Sequence, residues 1–146
     1  MSDKRFTLRA AVYLMLIKND NILLVRRFNT GWQDGKYSFV SGHLDGDETV
    51  RQAMIREAKE EAGIVIKSED LHVVHTMHRK SNYEYIDFFL VASKWKGDPK
   101  NKEPDKCDEL RWASLKKLPD NVAPNVKKAI ENYNKEITFS EFGWLN

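Results

Sequence analysis

The sequence predicts a single α+β domain spanning residues 1–146, and three observations carry that prediction. Several apolar or β-branched runs are separated by short clusters of turn-forming residues, the pattern of strands. One stretch, Glu48 to Ala62, contains neither glycine nor proline and is closed by Gly63, the pattern of a helix with its C-cap. The composition, 41% hydrophobic and 32% charged over 146 residues, is that of a globular chain large enough to bury a core without disulfides.

Taken in order, Arg9 to Lys18 (RAAVYLMLIK) has the apolar character of a buried strand. Asn19-Asp20-Asn21 turns the chain, and Ile22 to Val25 forms a second strand ending in Arg26-Arg27. The two are expected to pair as a hairpin. Asn29 to Lys36 is loop, with Gly31, Gly35 and an exposed-looking Trp32, and Tyr37 to Val40 is a short strand. Glycines and aspartates return from Gly42 to Asp47 and lead into the helix. Leu71 to His78 and Tyr83 to Trp95 are strands joined by Lys80-Ser81-Asn82. The second begins by alternating, with Tyr83, Tyr85, Asp87 and Phe89 on one side. Gly97 to Lys106, with Pro99 and Pro104, is loop, Leu110 to Ala113 is a short strand, and Val122 to Lys135 is a closing helix introduced by Pro119 and Pro124. The tail from Ile137 to Asn146 carries Phe139, Phe142 and Trp144 and is expected to pack back on the body. No repeat, low-complexity tract or linker interrupts this order.

Several function classes are excluded. Lys and Arg number 24 against 22 Asp and Glu, a net charge of +2, which gives no field to hold a nucleic-acid duplex. No apolar run reaches roughly 18 residues, so no membrane span is expected. The first residues lack a small-residue cleavage site, so no signal peptide is expected either. Cys107 is the single cysteine, which excludes an internal disulfide and a cysteine-rich metal site and points to a reducing, cytoplasmic setting. His72, His75 and His78 recur at a spacing of three along one strand, do not share a face and make a poor metal site. A small-molecule partner is expected, with the chain a monomer or homodimer.

The chemistry is concentrated in Gly42 to Ile64, GHLDGDETVRQAMIREAKEEAGI. On the helix, Glu57, Glu60 and Glu61 stand at i, i+3 and i+4 and share one face, while Met54, Ile55, Ala58 and Ala62 fill an adjacent arc suited to packing on a sheet. Carboxylates clustered beside a buried face repel one another unless a cation sits among them, and oxygen-only ligands suit Mg²⁺ or Mn²⁺ rather than zinc. Arg56 is placed to hold a ligand carboxylate in position. The glycine-bearing loop lets backbone come close to a phosphate chain or metal. These parts describe a metal-assisted phosphate site.

A bare EExG would be an ordinary solvated helix end, but the longer spacing is not. Gly42, Glu48, Arg56-Glu57-Ala58, Glu60-Glu61 and Gly63-Ile64 stand at the spacing of the complete Nudix box, a coincidence on the order of 10⁻⁸ per window at average residue usage. The sequence therefore resembles the Nudix hydrolases. That resemblance implies an α/β/α sandwich with a mixed β-sheet, and hydrolysis of a nucleoside diphosphate linked to another group, usually with Mg²⁺. It implies that Glu57, Glu60 and Glu61 bind metal or act as base, with Glu57 preferred as the base. Gly42 would offer its carbonyl to the metal, Arg56 would orient, and Glu48 would hold that arginine. Val40-Ser41-Gly42 replaces the common Pro-Gly-Gly, so the second glycine survives.

Glu103 to Trp112 and Leu118-Pro119 further resemble the small MutT-like enzymes that cleave nucleoside triphosphates. In that branch a loop acid joins the metal site, here Glu103, with Asp108 or Glu109 as alternatives. Arg26 and Trp112 are the candidate substrate-binding residues, for phosphate and base, and Trp32, Arg27 and His43 are further candidates. Two other functions fit the box: an ADP-ribose or nucleotide-sugar pyrophosphatase, whose branch adds elements ahead of the first strand, and a catalytically silent nucleotide sensor, which usually carries a damaged box.

Overall fold

The computed structural model describes residues 4–145. Its elements are β1 (Arg9–Met15), β2 (Ile17–Lys18), β3 (Asn21–Arg27), β4 (Tyr37–Ser38), β5 (Val40–His43), α1 (Val50–Ala62), a 3₁₀ turn (Ser68–Asp70), β6 (Leu71–Lys80), β7 (Glu84–Ala92), β8 (Cys107–Ser114), α2 (Pro124–Asn134) and β9 (Phe139–Phe142).

The larger sheet runs β5-β1-β7-β6-β9, with β1 parallel to β7, β6 parallel to β9 and the other pairs antiparallel. Strand β1 sits inside it, buried on both faces, which is why its sequence is a continuous apolar run. Ala11, Tyr13 and Met15 point to one side and pack with Val126, Ala129 and Ile130 of α2. Val12 and Leu14 point to the other and pack with Ala53, Met54, Ala58 and Ala62 of α1. A mixed sheet with a helix on each face is the expected α/β/α sandwich. In the smaller sheet β3 pairs with β8 along one edge and with β2 and β4 along the other. Among the described residues no helix is long and apolar enough to cross a membrane.

Two expectations are corrected. Arg9 to Lys18 is not one strand: it breaks at Leu16, so that β1 enters the larger sheet and only β2 forms the hairpin with β3. Asn19 and Asp20 both take positive φ, 52° and 61°, the left-handed turn that matches the twist of a two-stranded ribbon. The tail does pack back, but as strand β9, whose partner β6 supplies the hydrogen bonds that a short aromatic segment lacks alone. The Trp144 indole N–H donates to the His78 carbonyl at 3.1 Å. Buried His75 binds the Ile137 carbonyl and the Ser140 hydroxyl, each at 2.7 Å.

Both ends of α1 are pinned. It begins two residues later than the sequence suggests, at Val50, because Thr49 is the N-cap: its hydroxyl accepts from the Gln52 N–H at 3.1 Å while the Gln52 side chain accepts from the Thr49 N–H at 2.9 Å. Gly63 closes it at φ 68°, donating to the Lys59 carbonyl at 3.1 Å. Caps at both ends and four buried residues between them fix the rotation of the helix, and so the direction of its glutamates.

Candidate active site

β5 is an edge strand, and Gly42 on it pairs with Val12, so the side chain that Gly42 lacks would point toward α1. A Cβ there would overlap the carboxyl of Glu57. Glycine at this position is what lets Glu57 lie against the strand backbone, and the α1 carboxylates reach past the sheet edge into a cleft of about 620 Å³. Glu57, Glu60, Glu61 and Glu103 all line that cleft, together with Ser41, Gly42 and His43.

The electrostatics are lopsided. Glu61 accepts from the Ser41 N–H at 3.3 Å. Burial first, and then the adjoining Glu57 carboxyl, push Glu61 well above the usual carboxylate range, with Glu103 adding to the effect. Arg56 lies at the hub of the other carboxylates. It pairs with Glu57 at 2.6 Å, with Glu48 through Nε at 3.2 Å and Nη2 at 2.9 Å, with Asp45 at 3.3 Å and with Glu60 at 3.7 Å, and it donates to the His43 carbonyl at 3.1 Å. The Glu48 hydrogen bonds, opposed by desolvation and aided by Glu57, hold the guanidinium more firmly protonated than usual. Reciprocally, Arg56 and then the Asp45 N–H hold Glu48 below the usual carboxylate range. Among the described residues no ion pair reaches Glu61.

This donor set fits a divalent cation. It consists of hard oxygens, and it brings the half-buried Glu57 and Glu61 carboxyls together, with Arg56 paired to Glu57 but, among the described residues, no cation paired to Glu61. No three such side chains among the described residues already close into a ligand set. Glu60, 53% exposed at its side chain, has the freedom to swing inward.

From this end the cleft crosses the face of the larger sheet that also carries α2. Ser41 and His43 of β5, Ala11 and Tyr13 of β1, Tyr85 of β7 and Arg79 of β6 line it in turn. Three strand-to-strand steps separate β5 from β6, roughly 14 Å at about 4.8 Å each. Across the cleft, β3 and the loop after it contribute Val25, Arg27 and Trp32.

A family model, the NUDIX domain, matches residues 7–133. The chain belongs to the Nudix family. Nudix hydrolases act on phosphoric anhydride bonds, and so does this enzyme. It is 30% identical over 113 residues to the 8-oxo-dGTP diphosphatase of Escherichia coli, covering 74% of this chain and 81% of that one. It is 29% identical over 124 residues to an ADP-ribose pyrophosphatase of Methanocaldococcus jannaschii, covering 84% and 71%. A MutT Nudix hydrolase of Burkholderia pseudomallei superposes with a TM-score of 0.80 over 86% of this chain and 98% of the other, at 23% identity, a likeness of fold.

Within this Nudix hydrolase the cleft gathers Gly42, Glu57, Glu60, Glu61 and Glu103, and it has Arg56 and Glu48 directly behind Glu57. Of the three loop acids considered, Glu103 alone lines it. Asp108 and Glu109 instead bind Arg26, at 2.7 and 3.4 Å. Arg26 itself does not line the cleft, contrary to expectation. Side chains alternate along β3, so Val25 and Arg27 face inward and Arg26 faces away, beside Tyr37. Trp112 is likewise off the cleft, on β8, stacked on Trp95 with ring centroids 6.5 Å apart. Among the described residues the arginines in the cleft are Arg27 and Arg79, and the tryptophan is Trp32.

Sequence reasoning missed the Arg79–Asp87 pair. Asp87 is 0% exposed and Arg79 5%, joined through Nε at 2.5 Å and Nη2 at 3.2 Å. The signal was present: Asp87 occupies the side of β7 shared with Tyr85 and Phe89, and a charge on a core face requires a partner.

Proposed function

We propose that this chain is a single Nudix domain that hydrolyses nucleoside triphosphates, ribo or deoxy, to the monophosphate and pyrophosphate, using Mg²⁺ or alternatively Mn²⁺. The observation that carries the reading is one cleft with anionic oxygen donors at one end and an aromatic, cationic wall at the other. Its volume of about 620 Å³ is in the range of small-ligand sites. Glu57, Glu60, Glu61, Glu103 and the Gly42 carbonyl are the proposed metal ligands. A cation held by these groups would supply neutralisation of phosphate charge and polarisation of the bond to be broken.

The residues of the chain do the rest. Water attacks one phosphorus of the α–β anhydride, its oxygen stays on the phosphorus attacked, and the bridging oxygen leaves with the other product. Glu57 takes the proton from water. Arg56, pairing with Glu57 at 2.6 Å, fixes that carboxylate's orientation, and Glu48 in turn fixes Arg56. His43 and Arg27 line the cleft and present donor groups to a phosphate chain.

The likeness to an ADP-ribose pyrophosphatase favours a second reading, in which the cleft takes a sugar-linked diphosphate. Product analysis with Mg²⁺ on nucleoside triphosphates, oxidised dGTP, ADP-ribose and sugar nucleotides separates the two. Pyrophosphate and a monophosphate from a triphosphate, lost with EDTA and in Glu61→Gln, is the expected result. Turnover of ADP-ribose alone would move the enzyme to the second reading. Tight nucleotide binding with no turnover would make it a sensor.

A further inference from the structure

Trp32 is a large aromatic in the cleft, yet it belongs to neither apolar core of the molecule. Its surroundings are cations. The guanidinium carbon of Arg27 stands 5.0 Å from the indole centroid and that of Arg79 stands 5.4 Å from it. Arg79 is itself immobilised, paired with buried Asp87 and seated over the ring of Tyr85 at 4.0 Å.

The loop that carries Trp32 is braced far beyond what joining β3 to β4 requires. Arg27 donates from Nε to the Trp32 carbonyl at 2.7 Å and from Nη2 to the Thr30 hydroxyl at 3.0 Å. Asp34 accepts from the Thr30 hydroxyl at 2.5 Å, the Thr30 N–H at 3.0 Å and the Gly31 N–H at 2.9 Å. These bonds fix the path of the loop, and with it the backbone of a half-buried tryptophan at the wall of the cleft. Arg79, whose guanidinium faces that indole, is carried by β6, about three strand spacings, roughly 14 Å, from the strand that carries Gly42. A nucleotide whose phosphates lie at the carboxylates would bring its base to that wall. Asp87, the partner of Arg79, is fully engaged by it and does not line the cleft, so discrimination at this wall falls to stacking and shape.

Resting on the triphosphate reading above, we propose that Trp32 is the specificity-determining residue of this enzyme: it contacts the nucleobase of the substrate, and Arg79 acts behind it as a positioning residue. Aromatic stacking against a base discriminates by ring size and is tolerant of edge chemistry. The expected preference is therefore among bases by stacking area, purine against pyrimidine.

The test compares wild type, Trp32→Phe and Trp32→Ala, each first checked for an unchanged melting temperature. With the four common triphosphates as substrates, Trp32→Ala should raise KM about tenfold or more for the best base with kcat little changed, and should flatten the spread of kcat/KM across bases. Trp32→Phe should retain most of that spread. An unchanged spread in Trp32→Ala would overturn the proposal. A second readout needs no turnover: quenching of intrinsic fluorescence by GMP or CMP in EDTA. Wild type should quench and Trp32→Phe should not, and equal quenching in both would also overturn it. Quenching lost in Trp32→Phe, in an enzyme that hydrolyses no triphosphate, would reject the triphosphate reading and keep Trp32 as the base contact.

Discussion

The two ends of the cleft both hold charge away from water, and they do so in opposite ways. Beneath the far wall, Asp87 and Arg79 form one balanced pair, with the carboxylate wholly buried and two hydrogen bonds between them. At the near end, Glu57 and Glu61 adjoin with Glu103 close by, and the guanidinium that pairs there among the described residues, Arg56, is shared among Glu48, Glu57, Asp45 and Glu60. A balanced buried pair needs nothing further, and it sets the Arg79 guanidinium against the rings of Tyr85 and Trp32. An unbalanced cluster held by a capped helix is a site waiting for positive charge. The contrast separates structure from chemistry without reference to any relative.

Breaking each end should therefore have opposite consequences. Glu61→Gln should lower turnover by about 10²- to 10⁴-fold, measured by pyrophosphate release, while the protein still folds, because the amide oxygen can keep the Ser41 N–H bond. Asp87→Asn should do the reverse. It leaves a buried guanidinium without its counter-charge and should cost about 3–5 kcal/mol in chemical denaturation. If Asp87→Asn were neutral for stability, the distinction between the two ends would fail.

Smaller changes sharpen it. Glu48→Gln keeps a hydrogen-bond acceptor for Arg56 but removes its charge, and kcat should fall roughly tenfold with KM nearly constant. The smallest effect concerns pH and the Trp32 loop. Hydrogen bonds from the Thr30 hydroxyl first, and from the Gly31 and Thr30 N–H groups, hold Asp34 below the usual carboxylate range. The native loop thus favours the charged form. Its contribution is present above the ordinary Asp range and is lost as pH falls toward the native value. Trp32 fluorescence should shift in that acidic window, and Asp34→Asn should abolish the shift.

The near end was legible in the sequence because its information is local. Gly42, Glu48 and the helix glutamates stand within one short stretch at fixed spacing, and helical periodicity places them on a face. Thr49 rather than Glu48 opens the helix, an error of boundary that moved no glutamate. The far end is assembled from β1, β6 and β7, which pair in the larger sheet, and from β3 of the smaller sheet, which meets them across the cleft. Arg26 and Arg27 differ only by the register of β3, and adjacent residues on a strand face opposite ways. Trp112 and Trp32 are equally plausible aromatic platforms until the path of the loop is known. Strand β9 was hidden because its parallel pairing with β6 is a tertiary contact with no local turn to announce it.

The most direct test of a cation-requiring carboxylate site is the thermal stability of substrate-free protein titrated with MgCl₂ against an ionic-strength control. Wild type should gain stability saturably, about 2.7 kcal/mol once the cation is at 100 times its dissociation constant, and Glu61→Gln should gain far less. Equal gains in the two proteins, or none in wild type, would contradict the assignment of the near end as a metal site.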